Sequence, residues 1–111
     1  MVAFLIVDDD RNFRDALAIG LRLDGHLAIA TGDVDEACER LRAIHFDCCL
    51  VDAHIVGADA LLEIAAGAGL RAFATSPHPD LLAAAASRHP RAQALAKPFQ
   101  SSDLVAAASA A

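Results

Sequence analysis

Residues 2–10 read VAFLIVDDD, an apolar run of strand length that passes directly into three acidic residues, Asp8, Asp9 and Asp10. The same arrangement recurs further along the chain, where three short apolar runs end in a polar residue: Asp52, Thr75 and Lys97. Polar side chains that terminate successive buried strands converge at the carboxyl edge of a parallel sheet, where open α/β folds bind their ligands. The sequence therefore predicts a single functional site at that edge.

Strand-like apolar runs alternate along the chain with segments in which apolar residues recur at the helical period. The predicted strands are 2–7, 27–30, 48–51, 72–74 and 94–96. Single helices between strands at this spacing imply a parallel sheet with helices on both faces and right-handed crossovers. The predicted fold class is α/β, a doubly wound (βα)5 unit with a five-stranded sheet.

Helix boundaries can be predicted at several points. Phe13, Leu17 and Leu21 lie four residues apart and form the inward face of the first helix, which Gly25 is placed to end. Asp33, followed three residues later by Glu36, resembles a capping box at the start of the second helix. The remaining helices are predicted at 58–66, from 79 to about 88, and from a cap near 101–103 onward.

Length and composition limit the possible functions. The 111 residues, 56% of them hydrophobic, predict one domain spanning 1–111 with no effector domain. A net charge of −6 with scattered Lys and Arg argues against direct binding of nucleic acid. We found no basic leader and no uncharged apolar run of about 18 residues, so we expect no membrane association and a cytoplasmic location. Cys38, Cys48 and Cys49 are expected to be reduced.

The polar strand ends combine groups that handle phosphate. Carboxylates of Asp8, Asp9 and Asp52 at adjacent strand ends would repel one another, and a hard divalent cation such as Mg²⁺ relieves that repulsion best. One carboxylate could then attack a phosphoryl donor while the metal and the Lys97 ammonium neutralise the phosphoryl oxygens. The Thr75 hydroxyl could donate a hydrogen bond to one of those oxygens. The sequence therefore predicts a phosphoryl-transfer site.

Four motifs resemble, in their order and intervals, the receiver domain of bacterial two-component response regulators, over the whole chain. They are Leu5-Ile6-Val7-Asp8-Asp9-Asp10, Leu50-Val51-Asp52, Ala74-Thr75 and Lys97-Pro98-Phe99. The resemblance implies a flavodoxin/CheY-like fold with strand order 2-1-3-4-5. It also implies a cis peptide bond between Lys97 and Pro98, a state far less costly before proline than elsewhere.

The same resemblance implies a function for each site residue. Asp52 would accept a phosphoryl group from a histidine kinase or histidine phosphotransfer protein, so the chain would at most catalyse its own phosphorylation and dephosphorylation. The ligands expected for Mg²⁺ are Asp8, Asp9, Asp52 and the backbone carbonyl of His54. Thr75 and Lys97 would contact the phosphoryl oxygens. A separate output protein would bind the face made by helix 4, strand 5 and helix 5, with contributions from Leu81, Leu82, Leu104 and Val105.

Two alternatives remain. A receiver-like module that docks a partner without being phosphorylated is favoured by Ala94, which stands where many receivers carry an aromatic residue, and by Val56 and Ala60 in an atypical loop after Asp52. A small phosphatase of the haloacid-dehalogenase type would use the Asp8-x-Asp10 pattern, although only Asp103 supplies a carboxylate beyond the lysine. His54 and Pro77, each two residues beyond a site residue, are candidates for tuning phosphoryl lifetime, and Ser76, next to Thr75, could slow entry of the phosphoryl group. The other histidines, His26, His45, His78 and His89, are assigned no role, because no pair has metal-ligand spacing.

Overall fold

The computed structural model describes residues 1–110, in which five strands alternate with five helices. The strands are β1 Ala3–Val7, β2 Leu27–Thr31, β3 Cys48–Asp52, β4 Arg71–Ser76 and β5 Gln93–Ala96. The helices are α1 Arg11–Leu23, α2 Val34–Ala43, α3 Ala58–Gly67, α4 Pro79–Arg88 and α5 Ser101–Ser109. All strand pairs are parallel and the sheet order is β2-β1-β3-β4-β5, so the predicted fold class is confirmed. The predicted domain end at Ala111 lies outside the described residues.

Helices cover both faces of the sheet because every central strand is apolar on both sides. In β1, Leu5 belongs to a core cluster shared with α2, α3 and α4, whereas Phe4 and Ile6 belong to a second cluster shared with α1 and α5. Cys48 and Cys49 of β3 divide between the two clusters in the same way, as expected for adjacent strand residues. Both cysteines are buried and unpaired.

The helix ends follow the predicted local chemistry, with two differences. Gly25 has φ +87° directly after α1, and Asp33 caps α2 by accepting a hydrogen bond from the Asp35 amide at 2.9 Å. Glu36, expected to complete a capping box, instead pairs with Arg40 on the exposed side of α2. At α5 the cap is Gln100, whose backbone N–H donates to the Asp103 carboxylate. The cap therefore lies one residue before the cap region predicted at 101–103, and Ser101 is the first residue of the helix.

The face formed by α4, β5 and α5 differs from the sequence-based expectation. Leu82 and Leu104 are 8% and 0% exposed and belong to the two cores, so the prediction that they contribute to a docking surface is wrong. Leu81 is 48% exposed and remains available. The reason is the helical period, which turns Leu82 inward when Leu81 points outward. No helix within residues 1–110 has the length and apolar character needed to cross a membrane.

Candidate functional site

Asp8, Asp52 and Lys97 form a buried charged cluster at the carboxyl edge of the sheet. Asp8 directly follows β1 and is 1% exposed, and Asp52 ends β3 and is 5% exposed. Lys97 follows β5, which β4 separates from β3 in the sheet. Its ammonium nevertheless lies 2.6 Å from Asp8 Oδ2 and 3.3 Å from Asp52 Oδ2. Its backbone N–H donates to the Ser76 carbonyl at 3.0 Å, which extends the pairing of β5 with β4 to the site. The predicted cis peptide bond between Lys97 and Pro98 is present.

Three carboxylates at this edge can share one cation. Asp8, Asp9 and Asp52 each offer an oxygen, and these oxygens lie within 4.8 Å of one another. Asp8 Oδ1 accepts a hydrogen bond from the Asp10 amide and Asp52 Oδ1 accepts one from the His54 amide, both at 2.9 Å, which holds the two carboxylates in place. Asp9 is exposed, so the cluster opens to solvent on its side. An all-oxygen, negatively charged donor set of this size fits Mg²⁺.

Burial sets the electrostatics of the cluster. It raises the pKa of Asp8 above the usual range for a carboxyl, against the lowering effect of hydrogen bonds from Lys97 and the Asp10 amide. Burial alone would lower the pKa of Lys97, but the hydrogen bond from its ammonium to Asp8 and the charges of Asp8 and Asp52 raise it. The ammonium is therefore kept charged, and it compensates part of the negative charge that the two buried carboxylates carry.

Thr75 lies next to Asp52 in the β3–β4 register and is fully buried. Its hydroxyl oxygen has no hydrogen-bond partner among the described residues. Leaving a buried hydroxyl unpaired costs about 1–3 kcal/mol, so buried hydroxyls are normally satisfied. This strand end consequently presents a free hydroxyl beside the carboxylate predicted to react.

Two histidines and a serine border the same edge. His54 Nε2 lies 2.7 Å from Ser76 Oγ, and the His78 amide donates to the same oxygen at 3.0 Å. The two imidazole rings meet edge to face with centroids 5.3 Å apart. Ser76 therefore connects the loop after β3 to the start of α4. His54 and Ser76 were predicted to lie beside the site. His78 was assigned no role, because its ring contact is with His54 in another loop and the local sequence does not indicate it.

Aromatic rings form one wall of the lysine site. The Lys97 ammonium lies 4.4 Å from the centroid of the Phe13 ring, and Phe13 meets Phe99 edge to face at 5.4 Å. A cation over a ring face is stabilised by roughly 0.5–2 kcal/mol, depending on how far it is desolvated. Phe13 was predicted to be a core residue and Phe99 to be part of a motif, but the contact between their rings and the contact of Phe13 with Lys97 were not predicted.

All five predicted side chains of the site thus lie at one edge of the sheet. Asp8, Asp9 and Asp52 form the acidic cluster, Lys97 bridges two of them, and Thr75 stands beside Asp52 in register. The role of the His54 carbonyl as a metal ligand stays a prediction. Ala94, which stands where many receivers were expected to carry an aromatic residue, is exposed on β5 and is paired with Ala74 in register.

The chain is similar in fold to solved structures of response regulators. No protein-family model and no curated protein matches the sequence. The receiver domain of the Francisella response regulator 1452 aligns with a TM-score of 0.78 at 16% identity, over 97% of this chain and 93% of that one. A response regulator receiver protein from Burkholderia phymatum aligns with a TM-score of 0.82 at 24% identity, over 97% and 94% of the two chains. NtrX from Brucella abortus aligns with a TM-score of 0.81 at 27% identity, over 96% of this chain but only 25% of NtrX.

Proposed function

We propose, starting from the response regulator receiver fold of this chain, that it is a phosphoacceptor of a two-component phosphorelay and that Asp52 takes up the phosphoryl group. The observation that carries this proposal is the position of Lys97. Its side chain is 13% exposed, and its ammonium contacts the buried carboxylates of both Asp8 and Asp52. Folding does not require such a cluster, since burying charged groups costs more than burying apolar side chains of similar size. A site that transfers phosphate does require it.

The transfer step uses groups already in place. A carboxylate oxygen of Asp52 attacks the phosphorus of the donor, the new oxygen–phosphorus bond forms, and the bond from phosphorus to the donor nitrogen breaks with its electrons remaining on the imidazole. Lys97 would exchange part of its ion pair with Asp52 for an oxygen of the incoming phosphoryl group. The Thr75 hydroxyl would donate to another oxygen and so gain the partner that it lacks. Mg²⁺, held by Asp8, Asp9 and Asp52, would supply further neutralisation of the transferred charge.

The proposal defines the partners by chemistry. The phosphoryl donor is a phosphohistidine of a histidine kinase or a histidine phosphotransfer protein, and the chain is a cytoplasmic substrate that at most catalyses its own phosphorylation and dephosphorylation. NtrX, which is about four times as long as the aligned segment, illustrates a response regulator with much additional chain. For this chain we propose a separate output protein that binds the α4–β5–α5 face, on which Leu81 is the exposed large apolar residue.

An intact-mass experiment tests the proposal directly. The protein is incubated with acetyl phosphate with and without Mg²⁺, in parallel with Asp52→Asn and with the control Asp80→Asn, which removes an exposed carboxylate in the first turn of α4. We expect a Mg²⁺-dependent gain of one phosphoryl group in the unaltered protein and in Asp80→Asn, and no gain in Asp52→Asn. If none of the three proteins gains mass, and if the NMR spectrum of the unaltered protein does not change on adding beryllium fluoride and Mg²⁺, a docking module that is not phosphorylated would be favoured.

The phosphatase alternative predicts a different result. An enzyme of that type would release phosphate repeatedly from phosphate monoesters and would depend on Asp8 as the nucleophile. In this structure the Lys97 ammonium is closer to Asp8 Oδ2, at 2.6 Å, than to Asp52 Oδ2, at 3.3 Å, so the tighter ion pair holds Asp8 and not Asp52. Turnover of a monoester that is lost in Asp8→Asn and kept in Asp52→Asn would establish the phosphatase.

A further inference from the structure

His89, at the end of α4, is a buried imidazole held between two carboxylates of α3. Its side chain is 7% exposed, whereas the side chains of Asp59 and Glu63 are 60% and 57% exposed. Nε2 lies 2.6 Å from Asp59 Oδ1 and Nδ1 lies 2.8 Å from Glu63 Oε1. Both ring nitrogens therefore meet a carboxylate oxygen, and the contact joins two helices that are consecutive along the chain.

This geometry determines the charge of the ring. An ionised carboxylate oxygen only accepts hydrogen bonds, and a neutral imidazole has one N–H donor and one acceptor nitrogen. In the neutral ring, one nitrogen lone pair would face a carboxylate lone pair at hydrogen-bond distance. Only the imidazolium can donate to Asp59 and Glu63 together, so the arrangement selects the protonated form.

Further charges surround the ring on each element that packs against it. From α4 itself, Arg88 Nε lies 3.2 Å from Asp59 Oδ1, and from the segment after α4, Arg91 Nη2 lies 3.6 Å from Glu63 Oε2. The two arginines share the carboxylates with His89. The hydrogen bond to Asp59 nevertheless raises the pKa of His89, the burial of the ring opposes this, and the bond to Glu63 adds to the rise.

Few side chains of α4 reach the core beneath it. Eight of its ten residues lie outside the core, since Leu82 and Ala85 are the buried ones in this helix. Its start is fixed by the His78 amide, which donates to Ser76 Oγ beside the candidate site, and by the Leu82 amide, which donates to the His78 carbonyl. At its far end, the side-chain contacts of α4 with α3 come from Arg88 and His89, both of which meet Asp59.

We propose that protonated His89 is a clamp that fastens the end of α4 to α3, and that loss of its proton releases that end and makes the position of α4 sensitive to pH. This inference goes beyond the proposed function and holds whether or not Asp52 accepts phosphate. Because the folded-state pKa of His89 is above its unfolded value, the clamp stabilises the fold fully below an unfolded pKa of about 6.5 and is lost as pH rises through the folded pKa.

Two measurements test the clamp on the full chain. An NMR titration of histidine ring protons should give His89 a midpoint above the ordinary value of about 6.5, and the midpoint should fall in Glu63→Gln, which keeps a hydrogen-bond acceptor but removes the charge. A His89 midpoint at or below the ordinary value would overturn the proposal. Glu63→Gln retains His89 and keeps the test valid if substitution of His89 itself prevents folding.

Thermal unfolding between acid and alkaline pH provides the second test. At a pH below 6.5, His89→Gln should lower the melting temperature by roughly 4–10 °C, because hydrogen bonds to charged groups are lost. The difference should shrink as pH rises through the His89 titration. Over the same range the protection factors of the α4 amides, corrected for the intrinsic pH dependence of exchange, should fall in the unaltered protein. The control His45→Gln changes an exposed histidine, 90% accessible at its side chain, and should show neither effect. A loss that is the same at every pH would show a merely structural role and refute the clamp.

Discussion

Replacing Thr75 by valine should make the unphosphorylated protein more stable while impairing phosphorylation. The substitution exchanges the hydroxyl for a methyl group of similar size at a position that is 0% exposed. The hydroxyl has no partner among the described residues, so its removal abolishes a desolvation cost of about 1–3 kcal/mol without breaking a hydrogen bond. We expect the free energy of unfolding to rise by about 1–2 kcal/mol, since the added methyl group meets some crowding in a packed strand.

The melting temperature of Thr75→Val should rise together with its free energy of unfolding. A chain of 111 residues has an unfolding entropy near 0.23 kcal/mol/K at the midpoint, from about 2.1 cal/mol/K per residue, so each kcal/mol corresponds to roughly 4 °C. Thr75→Val should therefore melt about 4–8 °C higher than the unaltered protein. Urea unfolding, followed by circular dichroism, should show a higher midpoint with an unchanged slope.

Thr31 provides a matched control at the end of β2. It is also buried, at 4% exposure, but its hydroxyl accepts a hydrogen bond from the Asp33 amide at 3.1 Å. Thr31→Val leaves that amide without its acceptor and should cost about 1–2 kcal/mol, the opposite sign to Thr75→Val. Equal destabilisation in both variants would refute the view that the Thr75 hydroxyl is held free for a ligand. Phosphorylation by acetyl phosphate should be slower in Thr75→Val and unaffected in Thr31→Val.

Three further results are expected. Asp9→Asn, at an exposed position, should change the free energy of unfolding by less than about 0.5 kcal/mol without Mg²⁺. It should also reduce the rise in melting temperature that Mg²⁺ produces, and an undiminished rise would show that Asp9 is not a metal ligand. Lys97→Met leaves Asp8 and Asp52 buried without a cation, and urea unfolding should show a loss of about 3 kcal/mol at neutral pH that Mg²⁺ partly restores. Leu61→Ala, at 0% exposure in the core, should cost about 2–5 kcal/mol in the same assay, and the fraction that remains folded should be phosphorylated normally.

Much of the fold could be predicted because it depends on local sequence. The predicted strands each fall within two residues of the observed ones, since runs such as 48–51 are apolar on both faces and end at a charged or turn residue. The start of α4 at Pro79 and the end of α1 before Gly25 follow from backbone preferences of proline and glycine that act within one turn. The predictions failed at Leu82, which the helical period of α4 turns into one core, and at Leu104, which packs in the other core with residues of α1.

The candidate site shows the same division. Its members were predictable because a parallel sheet brings all strand ends to one edge, whatever the details of packing. The contacts between these site residues could not be predicted from the sequence. Lys97 reaches Asp8 across 89 positions of sequence, and Phe13 lies under its ammonium only because α1 packs on the sheet beside the loop after β5. His89 was left without a role, because nothing near it in sequence indicates that α3 would supply two carboxylates.

By itself, the sequence determined the alternation of strands and helices and the residues at the carboxyl edge of the sheet, and it predicted that this edge takes a cation. These follow from periodicity, helix caps and charge repulsion, which act between near neighbours or through a general rule of parallel sheets. Only the tertiary structure decided which carboxylates the lysine bridges, that the Thr75 hydroxyl has no partner among the described residues, and that His89 lies between two carboxylates of α3. Each of these depends on distances of a few ångströms between separate elements, which arise from packing of the whole core.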